Sequence, residues 1–132
     1  MKKFLIDTNI CIFYIKGMFE LNSRFIDADP KNCYISEITL AELRFGVENS
    51  ERKEKNQKAL DNFLTGVNIL PIYHSIGLYA SEKARLRKAG TPIDDFDLLI
   101  GATAVTHNLT MVTNNLKEFN RIKGINIEDW TK

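Results

Sequence analysis

Apolar residues in this chain gather in five short runs, at residues 3–6, 33–35, 67–70, 111–113 and 125–127, each the length of a strand buried on both faces. Between them apolar positions recur every three or four residues, which predicts helices over residues 10–16, 19–27, 40–48, 52–64, 76–89, 96–107 and 116–121. Gly17, Pro30, Gly66, Pro71, Gly90, Pro92 and Gly124 punctuate the boundaries. Strands alternating with helices argue for an α/β fold around a parallel sheet. No internal repeat, low-complexity stretch or linker breaks the pattern, so residues 1–132 are expected to form one domain.

The polar residues that end these runs carry the chemistry. Phe4-Leu5-Ile6 stops abruptly at Asp7-Thr8-Asn9, and Val112 at Thr113-Asn114-Asn115, with Glu118 close behind. Glu42 follows Thr39-Leu40-Ala41, and Asp94-Asp95-Phe96-Asp97 opens an apolar helix. Each acid has a local reading: Thr39 to Glu42 fits a capping box, Asn115 to Glu118 resembles one, and Asp7 or Asp97 can tie down a first helical turn. Capping alone does not explain why the acids recur where a parallel sheet collects ligands, at the carboxyl ends of its strands. If the strand ending at Ile6 is central and the one ending at Thr113 lies beside it, Asp7 and the 115–118 turn converge. The first turns carrying Glu42 and Asp97 then face the same crevice. Carboxylates held a few ångström apart repel, so such a cluster calls for protons or a cation. Mg²⁺ or Mn²⁺ meets that need with a few carboxylates plus substrate phosphates. Cap and ligand are compatible roles, and both stay open here.

Composition narrows the classes. A 44% hydrophobic content suits a globular domain, and a net charge of +1 does not announce a nucleic-acid binder. The distribution of charge says more: Lys83, Arg85, Arg87 and Lys88 crowd one helix ahead of the Asp94–Asp97 segment, reading equally as a solvated face or a phosphate-contacting patch. Lys117, Arg121 and Lys123 follow the last acidic element. Asp7 interrupts the first apolar stretch too early for a secretory core, and the uncharged run 98–106 is too short to span a bilayer, so a cytoplasmic location is expected. Cys11 and Cys33 lack metal-site spacing and read as buried thiols. His74 and His107 lie outside every motif and read as structural, which leaves the two-histidine route to RNA cleavage without its parts. A metal-activated water needs only the carboxylates.

In order and spacing, Leu5-Ile6-Asp7-Thr8-Asn9, Ile35-Ser36-Glu37-Ile38-Thr39-Leu40-Ala41-Glu42, Gly90-Thr91-Pro92-Ile93 leading to Asp97-Leu98-Leu99-Ile100, and Val112-Thr113-Asn114-Asn115 before Glu118-Phe119 resemble the PIN-domain ribonucleases, and among them the VapC toxins of bacterial toxin–antitoxin pairs. The resemblance spans nearly the whole chain, though no one segment is specific alone. It implies a PIN-like α/β fold: a short parallel five-stranded sheet flanked by helices on both faces. It also implies an endoribonuclease that uses Mg²⁺ or Mn²⁺ to cut structured RNA, a transfer RNA or ribosomal RNA. Carried over residue by residue, the metal-binding acids fall on Asp7, Glu42 and Asp97, with Glu118 as an outer fourth acid. Thr8 and Asn9 match positions that orient the first carboxylate, and Thr113 matches a hydroxyl near the site. Many family members carry aspartate where this chain has Asn115, a neutral amide that adds no charge. Asp94 and Asp95 are assigned to capping and the rim.

The implied partners are a VapB-type antitoxin with a DNA-binding domain, seated near Ile12, Phe13 and residues 40–47, and a second copy of this chain. Phe13, Tyr14 and Phe45 read as core or partner-facing in preference to base-stacking. The competing reading is a catalytically weak PIN-fold binding module for protein or RNA. It predicts decay of the acidic set, whereas Asp7, Glu42 and Asp97 are all present. A haloacid-dehalogenase-type phosphatase would need an acid where Asn9 stands, and a receiver domain a late strand-end lysine; neither is evident.

Overall fold

The computed structural model describes all residues from 1 to 132. Five strands form one fully parallel sheet: β1 (Phe4–Ile6), β2 (Cys33–Ser36), β3 (Asn68–Leu70), β4 (Thr110–Val112) and β5 (Asn126–Glu128), in the order β3-β2-β1-β4-β5. Seven α-helices connect them: α1 (Thr8–Ile15), α2 (Leu21–Ala28), α3 (Glu37–Glu48), α4 (Lys53–Leu64), α5 (Ile76–Lys88), α6 (Asp95–Thr106) and α7 (Leu116–Phe119). The five expected strands are present, each within a residue or so of its expected ends.

Alternation within β1 explains the layering. Phe4 and Ile6 point to one face, where they join Ile10, Leu21, Phe25, Leu43, Val47, Leu60 and Phe63 from α1 to α4. Leu5 points to the other, with Leu86, Leu98, Ile100, Ala104 and Phe119 from α5 to α7. A strand flanked on both sides and covered on both faces has little room for polar side chains, so β1 is continuously apolar, β4 is apolar after Thr110, and every residue of both is buried. Trp130 closes the first face, edge-on to Phe4 and Phe25 with ring centroids 5.2 and 5.4 Å apart.

Strand order decides where a site can form. From β1 the chain moves outward to β2 and β3, then returns across the sheet to β4 on the other side, so the β1/β4 boundary is where the winding reverses. A crevice opens at the carboxyl ends of these two strands. Asp7 and Thr113 are the first residues beyond them.

Three helix starts differ from expectation by two residues or more. Helix α1 begins at Thr8, two residues early, because Asp7 itself caps it by accepting from the Thr8 amide. Helix α2 begins at Leu21, not residue 19: Phe19 and Glu20 sit at φ 59° and 54°, left-handed backbone that no α-helix accommodates. Helix α3 begins at Glu37, with Ser36 as the cap accepting from Ile38 N. The capping-box reading of Thr39 and Glu42 is therefore corrected; both lie inside the helix, and Thr39 is fully buried.

Candidate active site

Asp7 anchors the crevice. Its amide donates to Val112 O at 2.9 Å, carrying the β1–β4 pairing one residue past the strands, and its side chain is 4% exposed. One carboxylate oxygen, Oδ1, accepts from Thr8 N and the other, Oδ2, from Thr113 Oγ1, both at 2.8 Å. Thr113 Oγ1 in turn accepts from Asn115 N at 2.9 Å, so the turn after β4 is locked to the carboxylate. Burial pushes the Asp7 carboxyl above its ordinary range; the Thr113 and Thr8 bonds oppose that rise, and the charge on Glu42 adds to it.

Glu42 reaches the same place from the second turn of α3. Thr8 Oγ1 donates to Glu42 Oε1 at 2.6 Å and lies 3.0 Å from Thr39 Oγ1. Thr8 thus bridges two acids, its amide on Asp7 and its hydroxyl on Glu42. Asp97 comes from the first turn of α6 and is not a cap: Asp94 holds that position, accepting from Phe96 N at 3.1 Å. Asp97, half-buried, has no hydrogen-bond or ion-pair partner. Burial first, then the charges of Asp7, Asp94, Glu42 and Glu118, raise its carboxyl from the ordinary 3.8 to about 6. Asp7, Glu42 and Glu118 therefore all act on Asp97 electrostatically, and Glu42 acts on Asp7. As the side chains stand, no three of the acidic, histidine or cysteine groups close around a common point.

Glu118, on α7, differs from the other three in having a cation: Arg121 Nη1 lies 3.3 Å from Glu118 Oε2 and also donates to Pro92 O at 2.9 Å. Asn115 occupies the cap position of α7 without a side-chain cap bond, so the resemblance to a capping box there does not carry over. Asn9 is exposed on the first turn of α1. Asp95 belongs to the rim, 2.8 Å from Lys83 Nζ and accepting from Tyr79 Oη at 2.8 Å.

The basic residues of α5 divide into two pairs. Lys83 is engaged by Asp95, and Arg85 by Glu82 through two bonds of 2.7 and 2.9 Å. Arg87 and Lys88 are exposed and form no ion pair, and Arg87 shares a cleft with Asp94 and Asp95. Cys11 and Cys33 are buried free thiols, and burial pushes both up, Cys33 to about 11. His107 caps the end of α6 with Nε2 buried and unpartnered, and His74 packs edge-on against it at 6.5 Å, far from any acid motif in sequence.

Two contributors escaped the sequence reading. Thr39 supports Thr8 from within α3, and its only signal was a hydroxyl three residues before an acid. Arg121 engages Glu118 and the 89–94 loop together, a role hidden in a trailing basic segment.

The PIN-domain family model matches residues 4–125. The tRNA(fMet)-specific endonuclease VapC of Salmonella typhimurium is 40% identical over 132 residues, covering 98% of this chain and 99% of that protein. Ribonuclease VapC2 of Rickettsia felis is 39% identical, covering 98% of each. Among solved structures, the DNA-bound VapBC of Salmonella typhimurium superposes with a TM-score of 0.92 at 39% identity over 98% of this chain and 99% of that one. VapBC2 of Rickettsia felis, bound to a promoter DNA fragment, gives 0.91 at 37%, covering 96% and 98%. The strand order, the crevice at the β1/β4 boundary and these matches along the full chain agree: the chain belongs to the PIN-domain family and, within it, to the VapC ribonucleases.

Proposed function

We propose that this chain is the toxin of a VapBC pair, an endoribonuclease that uses Mg²⁺ or Mn²⁺ to hydrolyse a phosphodiester in structured RNA and is restrained by a VapB-type antitoxin. The observation that carries this reading is the unpartnered Asp97 carboxyl sharing a crevice with Asp7 and Glu42, none of them ion-paired to a lysine or arginine. Three hard oxygen donors without a protein cation suit Mg²⁺ or Mn²⁺. Asp7, Glu42 and Asp97 would hold the ion, which when bound supplies Lewis acidity and a nucleophilic water at neutral pH.

The chain's own groups prepare that site. Thr113 and Thr8 fix both oxygens of Asp7, so its orientation does not depend on a bound ion. Thr8 turns Glu42 toward the same crevice. Arg121 neutralises Glu118 and keeps a fourth charge from adding fully to the repulsion. Arg87 and Lys88 offer phosphate contacts beside the site, where Lys83 and Arg85 are already engaged.

Relatives named for tRNA(fMet) make initiator transfer RNA the first substrate to test. A groove between α1, α3 and α4, lined by Ile12, Ile15, Leu43, Val47 and Leu60, has Glu42 at its margin and suits an amphipathic antitoxin segment that ends in an arginine on the acids. Exposed apolar side chains on α5 and α6, Ile76 and Phe96 among them, supply surface for a homodimer.

The test is cleavage of tRNA(fMet) and of total RNA by the purified chain, with Mg²⁺, with Mn²⁺ and in excess EDTA, alone and with the antitoxin. Cleavage that needs the ion and stops on adding the partner is expected. Full activity in EDTA overturns the metal assignment, and failure of a VapB-type antitoxin encoded beside this chain to bind or inhibit it overturns the toxin assignment.

A further inference from the structure

Glu82 is a buried acid remote from the acidic crevice in sequence, and its bonds lead back to it. Only 5% exposed on α5, it accepts from Arg85 Nε at 2.7 Å, Arg85 Nη2 at 2.9 Å and Lys123 N at 2.7 Å. These partners hold the Glu82 carboxyl below its ordinary range. Arg85 Nη2 also donates to Arg121 O at 2.7 Å. The Arg121 side chain then bonds Pro92 O and Glu118 Oε2. Between these anchors, Ile122 lies under α6 so closely that a Cβ on Gly101 would stand 2.3 Å from its Cδ1. Residues 118–123 therefore touch α5, α6 and the loop joining them.

That loop, residues 89–94, delivers Asp97. Its first half is tied to α5, with the Ala89, Gly90 and Thr91 amides donating to Arg85 O, Arg87 O and Leu86 O at 3.0, 3.2 and 3.0 Å, whereas past Thr91 the only bond of its own is the Asp94 cap on α6. Arg121 is the one side chain from outside α5 and α6 that bonds it. A planar guanidinium can hold a carbonyl and a carboxylate at once, which a lysine ammonium does with much less definition.

We propose that Arg121 is a positioning residue, holding the 89–94 loop and Glu118 in register through its bonds to Pro92 O and Glu118, with Glu82 and Arg85 as the strut that fixes Arg121 itself. Arg85 then serves the scaffold and is not an RNA contact. The effect on cleavage rests on the endoribonuclease reading; the effect on the loop does not.

Two readouts test this in the full chain. In metal-free protein, Arg121→Met is expected to speed hydrogen exchange at the Thr91, Phe96 and Leu98 amides, all bonded within or next to the loop. In cleavage of tRNA with Mn²⁺, the same variant should lower kcat about ten- to a hundredfold, as displacement of a reacting group does. KM for RNA should stay within about twofold, because no substrate contact is lost. Half-saturation by Mn²⁺ should shift upward. Arg121→Lys should recover part of both effects, and Arg85→Met should act in the same direction more weakly. Arg87→Ala should instead raise KM and flatten the salt dependence. Unchanged exchange at the three amides in Arg121→Met overturns the inference, as does a rise in KM with kcat intact, which would make Arg121 an RNA contact. Absence of RNA cleavage by the wild-type chain would remove the ribonuclease reading, and the exchange result would still decide the loop's dependence on Arg121.

Discussion

Replacing Asp97 by asparagine keeps the side chain's shape and removes the charge that the crevice resists. The carboxyl's rise from 3.8 to about 6 means the folded protein disfavours the ionised form by ~3 kcal/mol at pH above both values. Asp97 is only half-buried, and solvent screening brings that figure to ~1–2 kcal/mol. The sign follows from linkage. Because the folded value is raised, the folded state binds this proton more tightly than the unfolded chain, and the associated stability is present below pH 3.8 and lost as pH rises through about 6. An asparagine has nothing to lose over that window. In EDTA at pH 7.5, Asp97→Asn should therefore melt about 3–8 °C above the wild type, and the gap should close near pH 4. Cleavage of RNA by the same variant should be abolished. Thermal denaturation at the two pH values, paired with a cleavage assay, separates the two claims. No pH-dependent gain would refute crowding of like charges around Asp97, and near-wild-type cleavage would refute its role in the reaction.

Thr113→Val removes a donor from the buried Asp7 carboxylate and should destabilise by ~1–3 kcal/mol in urea at pH 7.5, less at acid pH where Asp7 is protonated, while lowering cleavage. Glu118→Gln should impair cleavage less than Asp97→Asn, because Arg121 already neutralises Glu118; equal severity would place Glu118 among the acids proposed to hold the metal. Gly101→Ala brings a methyl to 2.3 Å from Ile122 Cδ1 and should cost about 1–3 kcal/mol by calorimetry, whereas an unchanged melting temperature would mean that the Ile122 side chain turns aside freely.

The sheet was legible because each run is short and mostly apolar and is bounded by Gly, Pro, Asn or an acid, and Asp7 and Thr113 were placed side by side from the same logic. Helix starts were less legible. Ser36, Glu37, Thr39 and Glu42 offer two overlapping hydroxyl–acid patterns, and only the approach of Thr8 from α1 shows that Thr39 and Glu42 face the crevice. The left-handed backbone at Phe19 and Glu20 had no glycine or asparagine to announce it. Glu82 with Arg85 was a visible pair three residues apart, but Lys83 with Asp95 and Arg121 with Pro92 depend on how α5, α6 and α7 meet. A basic patch read along one helix cannot show which of its charges the fold has already engaged.

In the proposed reaction carboxylates, not a general-base side chain acting on the 2′-hydroxyl, prepare this site for hydrolysis. Cleavage of tRNA(fMet) in Mg²⁺, followed by chemical identification of the new ends, tests it most directly. Attack by water leaves a 5′-phosphate and a 3′-hydroxyl, and these are the ends expected, with none formed in excess EDTA or by Asp97→Asn. A 2′,3′-cyclic phosphate, or equal cleavage in EDTA, would rule out hydrolysis prepared by these carboxylates.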